Sequence, residues 1–251
     1  MGKSNQRQKQ SGTCYASGWM IVALLMVSSG CGMVTTGQNM QGVQLYQRGQ
    51  LYGAMEKFQH AMASNPDDAN AYYNLAAVLH QMGKTNNDSK ALQQSEQLYN
   101  GCLDRNPNHT DCYRALAVLL VETDRSDRAF VLLKNWATRA PQNPDARVEL
   151  ARLYQEFGDL KTAELQLQQA LQLDQTDERA WTAMAWLRES NGDYQQALAN
   201  YQRAYTLNGY NPSLANRIAA LNHAAGGTTG TRTYPTGTRM VDAQAAPVAR
   251  Y

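Results

Sequence analysis

A pattern of large, small and turn-forming residues recurs along this chain every 34 residues, and this recurrence limits the fold more than any other feature. Its clearest copy runs from Glu178 to Asn211. Trp181, Met184, Ala185 and Leu187 fall three or four apart, which is the spacing of one helix face. Gly192 with Asp193 then stops the helix, because glycine enters the left-handed conformation without strain. Tyr194, Ala197, Tyr201 and Ala204 form a second apolar stripe at the same spacing. The segment predicts two amphipathic helices joined by a tight turn. One such hairpin cannot bury both stripes, so it needs a neighbour on each side.

The neighbours are present. One period earlier, Leu150, Ala151, Tyr154, Gly158, Ala163, Leu167 and Ala170 take the same slots. The copy before gives Tyr113, Leu116, Ala117, Leu120, Ala129, Leu133 and Pro141. Before that come Tyr72, Leu75, Ala76, Leu79 and Gly83, then Ser95, Tyr99, Cys102 and Pro107. The earliest copy keeps Gly42, Leu45, Gly49, Ala54, Phe58, Ala61 and Pro66. A 34-residue period with this order of residues resembles the tetratricopeptide repeat family. The resemblance covers residues 35–211 and implies an all-α solenoid of about five helix-turn-helix repeats: 35–68, 69–109, 110–143, 144–177 and 178–211. Departures are Gln38 and Gln41 in place of apolar residues, Asp124 in place of the turn glycine, and Gln175 and Gly209 in place of the closing proline. The second repeat is longer by seven residues, and the polar stretch Lys84–Ser89 predicts a loop between its helices.

The two ends differ from the body. Residues 1–30 hold Lys3, Arg7 and Lys9 without an acid, followed by the nine-residue apolar run Trp19–Val27. That run is too short to cross a bilayer, which takes about 20 residues. A basic head, a short apolar run and small residues predict a signal peptide over 1–30. Ser29-Gly30-Cys31 resembles the lipobox of bacterial lipoproteins, which implies lipidation of Cys31, a lipidated tether over 31–37 and a membrane-anchored place in the bacterial envelope. Ser28 stands where the lipobox usually has leucine. At the other end, Asn211-Pro212 starts a helix over 212–225 with one apolar stripe, Leu214, Ile218 and Leu221, as a terminal cap requires. Residues 226–251 are rich in glycine and threonine, carry Arg232, Arg239 and Arg250, and are expected to be a disordered basic tail.

The net charge is +2, and the three leader cations exceed it. The near-neutral body gives no footprint for nucleic acid. No catalytic motif is present, the four histidines are scattered along the chain, and no cofactor or metal is expected. Cys102, His109 and Cys112 are too few for an ordinary zinc site. An envelope location leaves open either a disulfide between Cys102 and Cys112 or two small buried thiols.

In the family, the first helix of each repeat lines a concave groove that binds protein. Its inward slots carry over to Tyr73, His80, Arg114, Val118, Arg152, Glu156, Arg179, Trp186 and Glu189. The resemblance therefore implies a non-enzymatic interaction scaffold with a protein partner in the groove. An accessory subunit that presents a peptide or glycan to a separate envelope enzyme is the other function this architecture allows. Some relatives use a carboxylate clamp for chaperone tails. Here Asn74 fits one slot, but Asn39, Val43, Asp111 and Ala115 do not supply the rest.

Overall fold

A computed structural model of the protein describes residues 30–209 and 211–226, with side-chain surroundings for 37–209 and 211–223. Residues 1–29 of the expected signal peptide, the side chain of Cys31 as a lipid site and residues 227–251 of the basic tail lie outside those bounds. The described chain forms eleven helices and no strand. They are α1 Gly30–Gln47, α2 Leu51–Ser64, α3 Ala69–Asn86, α4 Ser89–Arg105, α5 Thr110–Glu122 and α6 Ser126–Arg139. Then follow α7 Pro144–Glu156, α8 Leu160–Leu173, α9 Glu178–Ser190, α10 Tyr194–Leu207 and α11 Pro212–Gly226. Consecutive helices pack as five antiparallel hairpins, and α11 closes the stack against α10. First helices also touch first helices, α1 to α3 to α5 to α7 to α9. That alignment sets five first helices side by side along one face.

Three slots explain why each hairpin closes. The first is the small residue of the second helix: Ala54, Ala129, Ala163 and Ala197 are fully buried. In the second repeat Ser95 takes this slot, and its hydroxyl donates to the Ala76 carbonyl at 2.8 Å, so a buried polar atom is satisfied. The next slot holds the large residue four positions on. Phe58, Tyr99, Leu133, Leu167 and Tyr201 fill it, all buried. In the first repeat the facing position is Gly42, because a Cβ there would come within 2.5 Å of the Phe58 ring. The third slot is the turn. Gly49, Gly158 and Gly192 all have φ between 73° and 84°, and Asp124 enters the same left-handed region at φ 58°. Aspartate tolerates that region better than most residues.

Two expectations are corrected here. The backbone is already helical from Gly30, so residues 31–37 form the first turns of α1 and not a tether. The stretch holds no proline, and a helix once started gains a hydrogen bond for each residue added. The Lys84–Ser89 insertion is not a loop either. Helices α3 and α4 run 18 and 17 residues, against 13 and 14 in the three repeats that follow. The inserted residues lengthen both helices, and the turn shrinks to left-handed Asn87 and the capping Asp88. Lys84 is held by Glu122 at 2.8 Å, a partner in the next repeat.

Side chains cap most helices as the sequence suggests: Asp68, Asp88, Asn143, Asp159, Asp177 and Asn211 each accept backbone N–H bonds. Helix α5 is capped by a histidine. Nδ1 of His109 accepts from Cys112 N at 3.2 Å, and its Nε2 lies 3.2 Å from Asn70 Oδ1. A ring nitrogen accepts only when unprotonated, so the cap needs neutral His109. Burial pushes its pKa below the ordinary 6.5, against an opposing pull from Asp111. A folded-state pKa below the unfolded value means that the unfolded chain binds the extra proton first. The contribution is whole above the unfolded pKa and is lost as pH falls from there through the folded value. The melting temperature should therefore drop between pH 7.5 and 5.5, and His109→Asn, a cap that does not titrate, should flatten that drop. Parallel pH profiles for the two proteins would contradict the assignment.

Candidate functional site

The face built by α3, α5, α7 and α9 holds the candidate groove. Its floor is electrostatic. Glu149 on α7 is 3% exposed. Arg114 of α5 grips it with two bonds, Nε to Oε2 at 3.0 Å and Nη2 to Oε1 at 2.6 Å. Arg179 of α9 stands 3.7 Å from the same Oε1. Burial alone would raise the Glu149 pKa, but Arg114, followed by Arg152 and Arg179, reverses this and holds it down to about 2. Asp111 pairs with Arg114 within α5 at 3.0 Å, and Asp145 of α7 pairs with Arg179 of α9 at 2.7 Å, so that with the Arg114–Glu149 pair three consecutive first helices are tied together.

The nine residues assigned to the groove separate into two groups. Five serve the fold. Tyr73 is 4% exposed, with its ring 5.2 Å from His109 and 6.1 Å from Tyr99. His80 is buried beside Tyr99 and bonded to Glu122 at 2.8 Å. Arg114 and Arg179 are committed to the carboxylates just described. Glu189 is a latch for the cap: it accepts from Tyr201 at 3.1 Å and from Arg217 Nε of α11 at 2.9 Å. These side chains are corrected from partner contacts to structural ones, because each found a buried or charged neighbour elsewhere in the stack. Asn74, the single match to a chaperone-tail clamp, is fully buried.

Four residues remain open to the groove. Val118, Arg152 and Trp186 are half-buried and occupy the same register on α5, α7 and α9, and Glu156 is exposed one turn beyond Arg152. Trp186 packs into none of the buried clusters, whereas Trp181 packs against the cluster that contains Ala185, Ala197 and Tyr201 and donates its indole N–H to Gln175 O at 2.9 Å. The Nε of Arg152 is buried and has no hydrogen-bond partner.

Cys102 and Cys112 are free thiols in this structure, fully buried and close enough to act on each other. Cys112 Sγ donates to Tyr99 O at 3.1 Å and behaves as a small core group. Among the described residues, no cluster of three or more metal-type ligands occurs, and no helix is long and apolar enough to cross a membrane.

Comparison with known proteins agrees with this geometry. Family models described as tetratricopeptide repeat match residues 125–187 and 178–211, and one described as TPR repeat matches 42–83. A thermophilic TPR protein of Thermus thermophilus is 26% identical, with a TM-score of 0.58 over 75% of this chain and 99% of that one. Pseudomonas aeruginosa pilF shares the fold at 18% identity and a TM-score of 0.51, over 78% of this chain and 87% of its own. Human protein O-mannosyl-transferase TMTC1 is 26% identical over 185 residues, which is 72% of this chain. The chain spans 20% of the length of that transferase. With the repeat frame, the eleven-helix stack and these matches together, the chain belongs to the tetratricopeptide repeat family, whose repeats form scaffolds for protein–protein interaction.

Proposed function

We propose that this protein is a non-enzymatic adaptor of the bacterial cell envelope. It is anchored by lipid at Cys31 and holds an extended segment of a protein partner along its first helices. The observation that carries this reading is the row Val118, Arg152 and Trp186, whose side chains stay half-open although the same helices bury their other faces. Tryptophan and arginine are the types that dominate interface energetics. The leader, with its short apolar run and Ser29-Gly30-Cys31, supports the envelope location and a role in assembling a surface complex such as a pilus or secretion system. Binding from cell extracts, compared between the native chain and Trp186→Ala, tests the groove. A partner retained equally by both would contradict it.

Lipidation has its own test. Cys31→Ala should move the protein to the soluble fraction with its helical spectrum unchanged. Intact-mass analysis that finds an unmodified Cys31, or an uncleaved chain from Met1, would contradict the anchor. The second reading, an accessory subunit that presents a substrate to a separate enzyme, is favoured by the match to a transferase. It differs in predicting that the captured partner is itself a catalyst.

A further inference from the structure

We propose that Arg152 is a carboxylate-binding subsite of the groove, which accepts one Asp or Glu side chain of the partner while the adjacent apolar residue lies on Trp186. The inference rests on the groove reading above and adds the chemistry of the partner.

The starting point is a mismatch of partners. Arg114, Arg152 and Arg179 surround the single buried carboxylate of Glu149, and Arg114 already occupies both of its oxygens. Asp145 is used by Thr110 and Arg179, and Asp111 by Arg114. Asp177 lies near enough to act on Arg152, yet its Oδ1 caps α9, and its Oδ2 is buried without a partner. Arg152 is left with a buried Nε that bonds to nothing. Burial disfavours its charge, Glu149 counters this, and the two neighbouring guanidiniums add to the penalty. A buried donor without an acceptor is costly, and one carboxylate from outside would remove the cost.

Two features narrow the ligand. A guanidinium presents parallel N–H groups that match the two oxygens of a carboxylate. The rim carries Asp111, Asp145 and Glu156, which would oppose a phosphate dianion or a run of acids more than a single monoanion. The preferred segment is therefore one acid between neutral, apolar neighbours. Val118 and Trp186, in register on either side of Arg152, supply surfaces for those neighbours.

The test uses the full chain and three capped pentapeptides that differ at the central residue: Ala-Leu-Asp-Leu-Ala, its Asn counterpart and its phosphoserine counterpart. Affinity is read from the shift of the Arg152 Nε–H resonance for the native chain and from tryptophan fluorescence for all variants. The Asp peptide should bind about tenfold or more tightly than the Asn peptide, as a charge-assisted bond implies. Arg152→Gln should bring that ratio near one with the helical spectrum intact, and Arg152→Lys, which keeps a positive charge beside Glu149, should restore only part of it. Trp186→Ala should weaken both peptides and keep the ratio. A ratio unaffected by Arg152→Gln, tighter binding of the phosphoserine peptide, or no binding of either neutral or acidic peptide would overturn the subsite. Binding that depends on Trp186 but not on the central acid overturns the subsite alone. Binding that depends on Arg152 but not on Trp186 counts against the groove reading instead.

Discussion

Glu149→Gln should destabilise the protein by about 3–5 kcal/mol, the cost of removing one partner from a buried ion pair. Glu149 is 3% exposed, and both of its oxygens accept from Arg114 in the groove floor. The amide keeps the volume but removes the charge, so Arg114, Arg152 and Arg179 would face each other across a neutral group. The pH dependence has a definite sign. The carboxyl is held down to about 2 against an ordinary 4.5, so its contribution is whole above 4.5 and is lost as pH falls through 2. Urea melts at pH 7 should show a lower midpoint at an unchanged slope. An unchanged midpoint would mean that Asp111 and solvent satisfy Arg114 without Glu149.

The second large effect is expected at a small residue. Ala163 is fully buried where α8 crosses α7, and it packs in the cluster of Val148, Ala151, Leu167 and Ala180. A leucine there adds three carbons with no space to take them. Ala163→Leu should cost about 1–3 kcal/mol or more through overpacking. Lys161, two residues earlier on the same helix, is exposed, and Lys161→Ala should stay within about 0.5 kcal/mol. Thermal melts of the two variants side by side check the repeat frame. Equal losses would mean that Ala163 does not sit at the crossing.

The frame was legible in the sequence because its determinants are local and repeated. A small residue, a large residue and a left-handed turn fall at fixed distances, and each copy supports the others. Even the departures were readable, since Asp124 adopts the turn conformation of the glycines it replaces. The insertion was misread because its turn propensity is local, while Lys84 is fixed by Glu122 in another repeat. The groove was legible only in part. Slot arithmetic places a residue on a face, but whether its side chain reaches solvent depends on the next helix. Tyr73 turns onto His109 and Tyr99, and Glu189 reaches an arginine 28 residues away. Trp136, fully buried and stacked on Tyr113 at 4.1 Å, carried no warning in the slots compared. Val118 and Trp186 carry no charge for such a partner to hold, and Arg152 finds both oxygens of Glu149 held by Arg114 and Asp177 Oδ1 used to cap α9.

The central claim is that the first-helix face binds a partner with residues the fold does not need. Trp186→Ala and Trp181→Ala test it as a pair, each measured for melting temperature and for affinity to a captured partner. Trp186 lies outside the buried clusters, so its loss should leave the melting temperature nearly unchanged and cost on the order of 2 kcal/mol of affinity. Trp181 packs against the cluster that joins its own repeat to the capping helix and bonds to Gln175, so its loss should lower the melting temperature clearly. If Trp186→Ala melts as early as Trp181→Ala, or binds the partner as well as the native chain does, the groove has lost its anchor and the account fails.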